Sequence, residues 1–340
     1  MNFFQSLINK SEGNIYIIAE ACDNHMGSID TALEMCLQAK LAGADVIKFQ
    51  HHLPDEEMLP DVPKSDNFDT PLYEFLKKNA LSLDDHKKII FYCKEIKIKY
   101  LCTPFSYKAA KEIAKIGVGC FKIGSGEMRD LPSLRGIASL GLPMILSTGM
   151  SDFSEIESTY KFLKDKVKHI AFLNCLSEYP PLYEDLNLGF IKKMIEKFPS
   201  VVIGHSDHTP DIYTCFAAVT LGAKIIEKHV ILDKKIPGPD QSVSIDFSEL
   251  KNLVDGVRKI ELAMGDKKTI HEREEKIRQW AYRSIVSIKD IQPGEKLSES
   301  NIWTKRPGTG ILAERYDEMI GKTAKKFIKK DQLLKEEDFK

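Results

Sequence analysis

Two histidines, His208 in GHSDHT and His229 in IIEKH, stand 21 residues apart, each at the end of a short apolar run. If those runs are neighbouring parallel strands, about 4.8 Å apart, both imidazoles can reach one divalent ion. Two imidazoles without thiolate partners leave coordination positions for water or substrate. That suits a catalytic Mn2+, Mg2+, Co2+ or Zn2+ better than a structural ion. Strand parity chooses within GHSDHT: Ser206 and His208 point one way, His205 and Asp207 the other. His208 is therefore the expected ligand, His205 has no catalytic role, and Asp207 braces the loop or orients a histidine.

The other apolar runs also end in functional side chains: Glu20, Lys48 with Gln50, Thr103, Lys122 with Ser125, Ser147 with Thr148, Ser177, and Glu227. Lys48 and Lys122 offer point charge, and the hydroxyls of Thr103, Ser125, Ser177 and Ser206 offer direction. Together they suit a molecule that carries both a phosphate and a carboxylate. The lysines could instead snorkel to solvent, and a Schiff-base lysine is a further alternative. Glu20, Glu127 and Asp240 are candidates to move protons or to orient sugar hydroxyls.

The elements that must position these groups are eight β-rich runs, at 15–20, 45–50, 99–104, 120–125, 143–148, 169–175, 201–206 and 224–229. Amphipathic helical segments such as 28–44 and 154–167 separate them. Alternating β and α elements with nearly continuous apolar strands imply a parallel sheet buried on both faces. Eight units predict a (β/α)8 TIM barrel, whose reactive groups gather at the C-terminal ends of the strands. A doubly wound open sheet is the alternative, but no GxGxxG follows the first strand.

The barrel is expected over residues 1–264 and a charged linker with a helical turn or two over 265–281. A small C-terminal module follows over 282–340. Within it, 289–302 and 326–339 resemble each other, pairing Ile291 with Ile328, Leu297 with Leu334, Glu299 with Glu336 and Ile302 with Phe339. A module of this size is marginal alone and is expected to lean on something larger.

Across 340 residues, 49 basic and 50 acidic side chains nearly cancel, so no charge field points to nucleic acid or a membrane surface. Seven cysteines without a CxxC pair read as reduced core residues. The N-terminal stretch is too short in apolar residues for a signal peptide, and no run approaches a membrane span. A cytoplasmic protein is expected.

The segments IIAEACDNHMGS, DVIKFQ, CTPF, FKIGSGE, ILSTGM, EYP, GHSDHT, IIEKH and PGPDQSVS, in this order, resemble the sialic acid synthase family, the phosphoenolpyruvate-dependent N-acylneuraminate synthases. SIVSIKDIQPGEKLSESNIWTKRPGTG is similar to that family's C-terminal antifreeze-like (SAF) domain, and the resemblance spans about 14–340. It implies an N-acetylneuraminate synthase condensing phosphoenolpyruvate with open-chain N-acetylmannosamine. A legionaminic or pseudaminic acid synthase using a 6-deoxy-2,4-diacetamido hexose is the alternative. The resemblance further implies a divalent cation, foremost Mn2+ with Mg2+ or Co2+ possible, on His208 and His229. It places phosphoenolpyruvate among Lys48, Thr103, Lys122, Ser125, Ser177 and Ser206, and the sugar and reacting carbons among Glu20, Gln50, Glu127, Tyr179 and Asp240. A domain-swapped homodimer would carry Arg306 of the SAF domain to the other protomer's sugar. Departures from the family pattern fall at Asp23, Asn174, Leu176, His205 and in KFQHHLPDEEML. The substitutions at Asp23 and in KFQHHLPDEEML bear on the sugar.

Overall fold

The structure, a computed structural model, describes residues 15–63 and 70–340. The N-terminal stretch weighed above as a signal peptide lies outside them. The chain divides into two compact units, Met1–Gly265 and Asp266–Lys340.

In the first unit eight parallel strands close into a barrel in sequence order. They are β1 (Tyr16–Glu20), β2 (Val46–His51), β3 (Lys99–Pro104), β4 (Phe121–Ile123), β5 (Met144–Ser147), β6 (Ile170–Cys175), β7 (Val202–Asp207) and β8 (Ile225–His229). This is the TIM barrel that the alternation of apolar runs predicts, each strand within a few residues of its expected span. β1 pairs with β8 to close the ring, setting Glu20 opposite His229 and, on its other side, opposite Lys48.

The helices form because their apolar residues recur at helical spacing and their ends are capped. In helix Ile29–Ala42 the buried set is Ala32, Met35, Cys36, Ala39 and Ala42, spaced three or four apart. Ser28 caps its start, and Gly43, at φ 89°, ends it in the left-handed region where a side chain would be strained. Helices Phe153–Leu163 and Phe247–Ala263 both open with a reciprocal capping box, Asp152 with Glu155 and Asp246 with Glu249.

Two apolar layers result. Between strands and helices runs the large outer core. Inside the barrel Tyr16, Ile18, Val46, Leu101, Cys120, Ile145, Ala171, Leu173 and Ile225 fill the lower interior. One pleat higher on the same inward face, two residues along each strand, come Glu20, Lys48, Thr103, Lys122, Ser147, Cys175 and Glu227. The apolar plug therefore forms the floor on which the polar groups stand.

The second unit has its own core of Ile285, Ile291, Leu297, Ile302, Ile311, Met319, Ala324, Ile328, Leu334 and Phe339. Three of the four repeat pairs read from sequence contribute both members to that core, and Ile291 bridges Ile328 directly. Glu299 and Glu336 are exposed. A two-stranded antiparallel sheet, β9 (Ser284–Ser287) with β10 (Ile302–Lys305), spans this core. The stretch read as a linker holds a ten-residue helix, Glu272–Ala281.

Candidate active site

At the C-terminal ends of the strands the barrel opens into a cavity of about 490 Å3, within the range of small-molecule sites. Every site residue expected from sequence lines it except Thr148 and Arg306, and Arg306 belongs to the second unit. There the Arg306 guanidinium donates to Ala281 O at 3.0 Å and lies 5.4 Å from the Trp280 ring.

The cavity floor is a buried charge cluster. Lys48 Nζ sits 3.0 Å from Glu20 Oε2 and 3.0 Å from Glu227 Oε2. Lys122 Nζ donates to Ser147 Oγ at 2.6 Å and to Ile123 O at 3.0 Å, and lies 3.7 Å from Glu227 Oε1. Ser206 Oγ donates to Glu227 Oε1 at 2.9 Å. Burial opposes the charge on Glu227, but Lys122 and Lys48 outweigh it and hold its pKa at about 2. Burial also opposes the Lys48 cation, and the two carboxylates beside it push its pKa up instead. For Lys122 burial wins, helped by Lys48, and its pKa falls.

Glu20 behaves differently: burial and the neighbouring Glu227 charge outweigh Lys48 and raise its pKa to about 7. A carboxyl poised there can hold or release a proton at neutral pH. Burial raises Glu127 as well, and its Oε2 is buried without a hydrogen-bond partner. Thr103 Oγ1 is likewise buried and unpartnered.

Around the wall, Ser125 Oγ accepts from Gly149 N at 3.1 Å. A Cβ at Gly149 would collide with the hydroxyls of Ser125 and Ser177, so this backbone must stay bare for the two to converge. Gln50 Nε2 donates to Glu20 Oε1 at 3.1 Å, while its Oε1 accepts from His52 Nε2 at 2.8 Å. Thr148, grouped with Ser147 in the sequence reading, turns away and donates to Leu173 O at 3.0 Å.

The two histidines line the same cavity, ring centroids 5.2 Å apart. His208 Nδ1 donates to Leu176 O at 2.7 Å, which fixes its tautomer and leaves the Nε2 lone pair toward Tyr179 OH, 3.3 Å away. Burial lowers its pKa to about 4 and, together with His208, pushes that of His229 down too, so both rings are neutral. His229 Nδ1 is buried without a partner. Cys22, His229 and Asp240 each present a donor atom, all within 4.8 Å of one another. Two neutral imidazoles with a thiol and a carboxyl beside them fit a divalent cation.

Behind His208 lies a network the sequence reading only half saw. His205 Nδ1 donates to Asn174 O at 2.9 Å and its Nε2 meets Asp207 Oδ2 at 3.0 Å. Lys228 Nζ lies 2.6 Å from Asp207 Oδ1, both side chains fully buried. Thr209 donates to the same carboxylate through its N–H at 2.9 Å and its hydroxyl at 2.6 Å, and Thr214 donates to it too. Burial opposes this carboxylate, but the His205 hydrogen bond and Lys228 charge hold its pKa far below the usual range.

Ser206 and His208 line the cavity, while His205 and Asp207 face away from it. Missed were Lys228, the central place of Glu227, and the Lys122–Ser147 bond. Glu227 had the signal, since it shares His229's inward parity. Lys228 had none, because its partner lies 21 residues away on the next strand. All seven cysteines are unpaired as expected, but Cys22 and Cys175 line the cavity instead of the core.

A family model described as the NeuB family matches residues 35–269, and a SAF domain model matches residues 282–340. The chain is 39% identical to an N,N'-diacetyllegionaminic acid synthase from Campylobacter jejuni, covering 94% of this chain and 98% of that protein. It is 37% identical to a pseudaminic acid synthase from the same species, covering 97% and 98%. Among solved structures, an N-acetylneuraminic acid (sialic acid) synthetase from Leptospira borgpetersenii in complex with citrate superposes with a TM-score of 0.71 at 30% identity, covering 78% of this chain and 90% of that one. Among the described residues, no helix is long and apolar enough to cross a membrane.

Proposed function

The chain belongs to the NeuB family of synthases and ends in a SAF domain; from that premise we propose that it condenses phosphoenolpyruvate with the open-chain aldehyde of an N-acylated amino hexose. C3 of the enol attacks the aldehyde carbon, water adds at C2, and phosphate leaves with its bridging oxygen. The products are a nine-carbon 2-keto acid and phosphate. The observation that carries this reading is one cavity lined by two buried lysines and two neutral histidines. One pair suits a phosphorylated carboxylate and the other an aldehyde.

In this reading Lys48 and Lys122 meet the negative charge of phosphoenolpyruvate, and Thr103, Ser125, Ser177 and Ser206 direct its oxygens. Thr103 Oγ1, buried and unpartnered, gains a partner when the phosphate arrives. A divalent cation on His208 and His229 supplies Lewis-acid polarisation of the aldehyde oxygen when bound. Glu20, level with both Lys48 and His229 and with a pKa near 7, guides the proton of the water that adds at C2. Gln50, Glu127, Tyr179 and Asp240 line the sugar side.

For the sugar, a 6-deoxy-2,4-diacetamido hexose is the preferred substrate. Met58, Leu72, Leu76 and Phe105 give the cavity an apolar part of its lining that suits a methyl at C6 and a second acetyl group. The relatives at 39% and 37% identity, which are named for diacetylated or related acids, support this choice. N-acetylmannosamine, the leading expectation from sequence, is the second reading, favoured by the synthetase structure at 30% identity. Phosphate release measured with phosphoenolpyruvate and each sugar in turn separates them. Turnover of the diacetamido sugar is expected to exceed that of N-acetylmannosamine, and EDTA to abolish both. Faster turnover of N-acetylmannosamine reverses the preference.

The active unit in this reading is a cytoplasmic homodimer whose SAF domain serves the partner's barrel, with Arg306 meeting the sugar's acyl group. Complementation tests it. Arg306→Ala and Lys122→Met, each inactive alone, are expected to regain activity when denatured together and refolded, because a mixed dimer holds one intact site. No recovery in a mixture shown to contain mixed dimers would refute the swap.

A further inference from the structure

Cys22 has an unusual position for a core cysteine. It follows β1 by two residues, at φ 44°, in the left-handed region that non-glycine residues rarely occupy. That turn carries its thiol into the cavity and not into the outer core. Gln50 Nε2 donates to its sulfur at 3.0 Å, and Gln50 is itself oriented by His52. The donor atoms of Cys22, His229 and Asp240 converge within 4.8 Å, and all three residues are buried. Among these, His229 Nδ1 is a buried nitrogen without a partner. His208, the other imidazole, has its ring 5.2 Å from that of His229.

Resting on the reading that His208 and His229 hold a divalent cation, we infer that Cys22 is a thiolate ligand of that cation, with Asp240 as its carboxylate neighbour. The centre is then sulfur-bearing and favours Zn2+ or Co2+ over Mn2+ or Mg2+ more strongly than imidazole and oxygen donors alone would, because thiolate prefers softer ions. Binding exchanges the thiol proton for the metal: the S–H bond breaks, the proton leaves to solvent, and both electrons stay on sulfur for the new bond. No oxidant or reductant is involved.

The test uses the full-length protein stripped with EDTA and titrated with Co2+. A sulfur-to-cobalt charge-transfer band is expected in the near ultraviolet, lost in Cys22→Ser and kept in Cys175→Ser, whose thiol lines the same cavity. X-ray absorption on the wild-type protein loaded with Zn2+ is expected to show a sulfur scatterer at about 2.3 Å, a readout that needs no variant. Cys22→Ser is expected to weaken Zn2+ binding by at least about tenfold, the lower range for disturbing a metal's surroundings. Stoichiometric cobalt binding that is lost in His229→Ala but never shows the band would overturn the thiolate while leaving the two-histidine reading standing. Failure of the wild-type protein to bind Co2+ or Zn2+ would overturn both. A band that survives Cys22→Ser and disappears in Cys175→Ser would assign the sulfur elsewhere and overturn the proposal.

Discussion

Lys48→Met is expected to lower kcat/KM for phosphoenolpyruvate by about 10^2- to 10^3-fold, the usual loss when one preorganised charge or donor is removed from a reacting centre. The fixed position of Lys48 is the reason. Glu20 and Glu227 each hold its ammonium at 3.0 Å, inside a barrel whose lower interior is apolar. Its charge is therefore in place before substrate arrives and needs no reorganisation. The substitution also leaves two carboxylates facing each other without that cation. Breaking a buried ion pair from one side costs about 3–5 kcal/mol, and here Glu20, already near pKa 7, can take up a proton and hold the loss near the lower end. Phosphate release across a range of phosphoenolpyruvate, with urea unfolding of the same samples, separates the two effects. A variant with unchanged kcat/KM would remove Lys48 from the substrate site.

How the sequence exposed this site follows from strand geometry. Glu20, Lys48, Lys122 and His229 were readable because each ends an apolar run, and barrel strands present their last inward residues to one cavity. Period two then put Ser206 with His208, and the structure agrees. Pairings between strands were not readable. Nothing local says that Lys48 divides itself between Glu20 and Glu227, or that Lys122 takes Ser147, since those choices depend on register. Cys22 was misread for a related reason: an apolar neighbourhood in sequence suggests core, and only the left-handed turn after β1 turns the thiol into the cavity. In the second unit the paired repeats were legible because both copies bury the same apolar positions.

Asp207→Ala is expected to cost about 3–5 kcal/mol of stability, among the largest effects of any single substitution outside the cavity. It strands the Lys228 ammonium, which is fully buried and has Asp207 as its carboxylate at 2.6 Å, and it frees His205, Thr209 and Thr214 from their shared acceptor. Asp207→Leu combined with Lys228→Met is expected to recover much of the loss, because removing both charges leaves no unpaired ion. The pH dependence has a definite sign. The folded pKa of Asp207 lies below its unfolded value, so its contribution is complete at neutral pH and is lost as pH falls through the carboxylate range. Urea unfolding of the single and double variants checks the energies. A single variant as stable as the wild type would show that the network does not hold β7 against β8.

The central claim is carbon–carbon bond formation with cleavage of the C2–O bond of phosphoenolpyruvate. Turnover of phosphoenolpyruvate labelled with 18O in the bridging position, with an N-acylated amino hexose as partner, tests it in one measurement. The account predicts that mass spectrometry finds the label wholly in the released phosphate and a nine-carbon 2-keto acid free of it. Label retained in the keto acid, or phosphate released with no nine-carbon product, would contradict it.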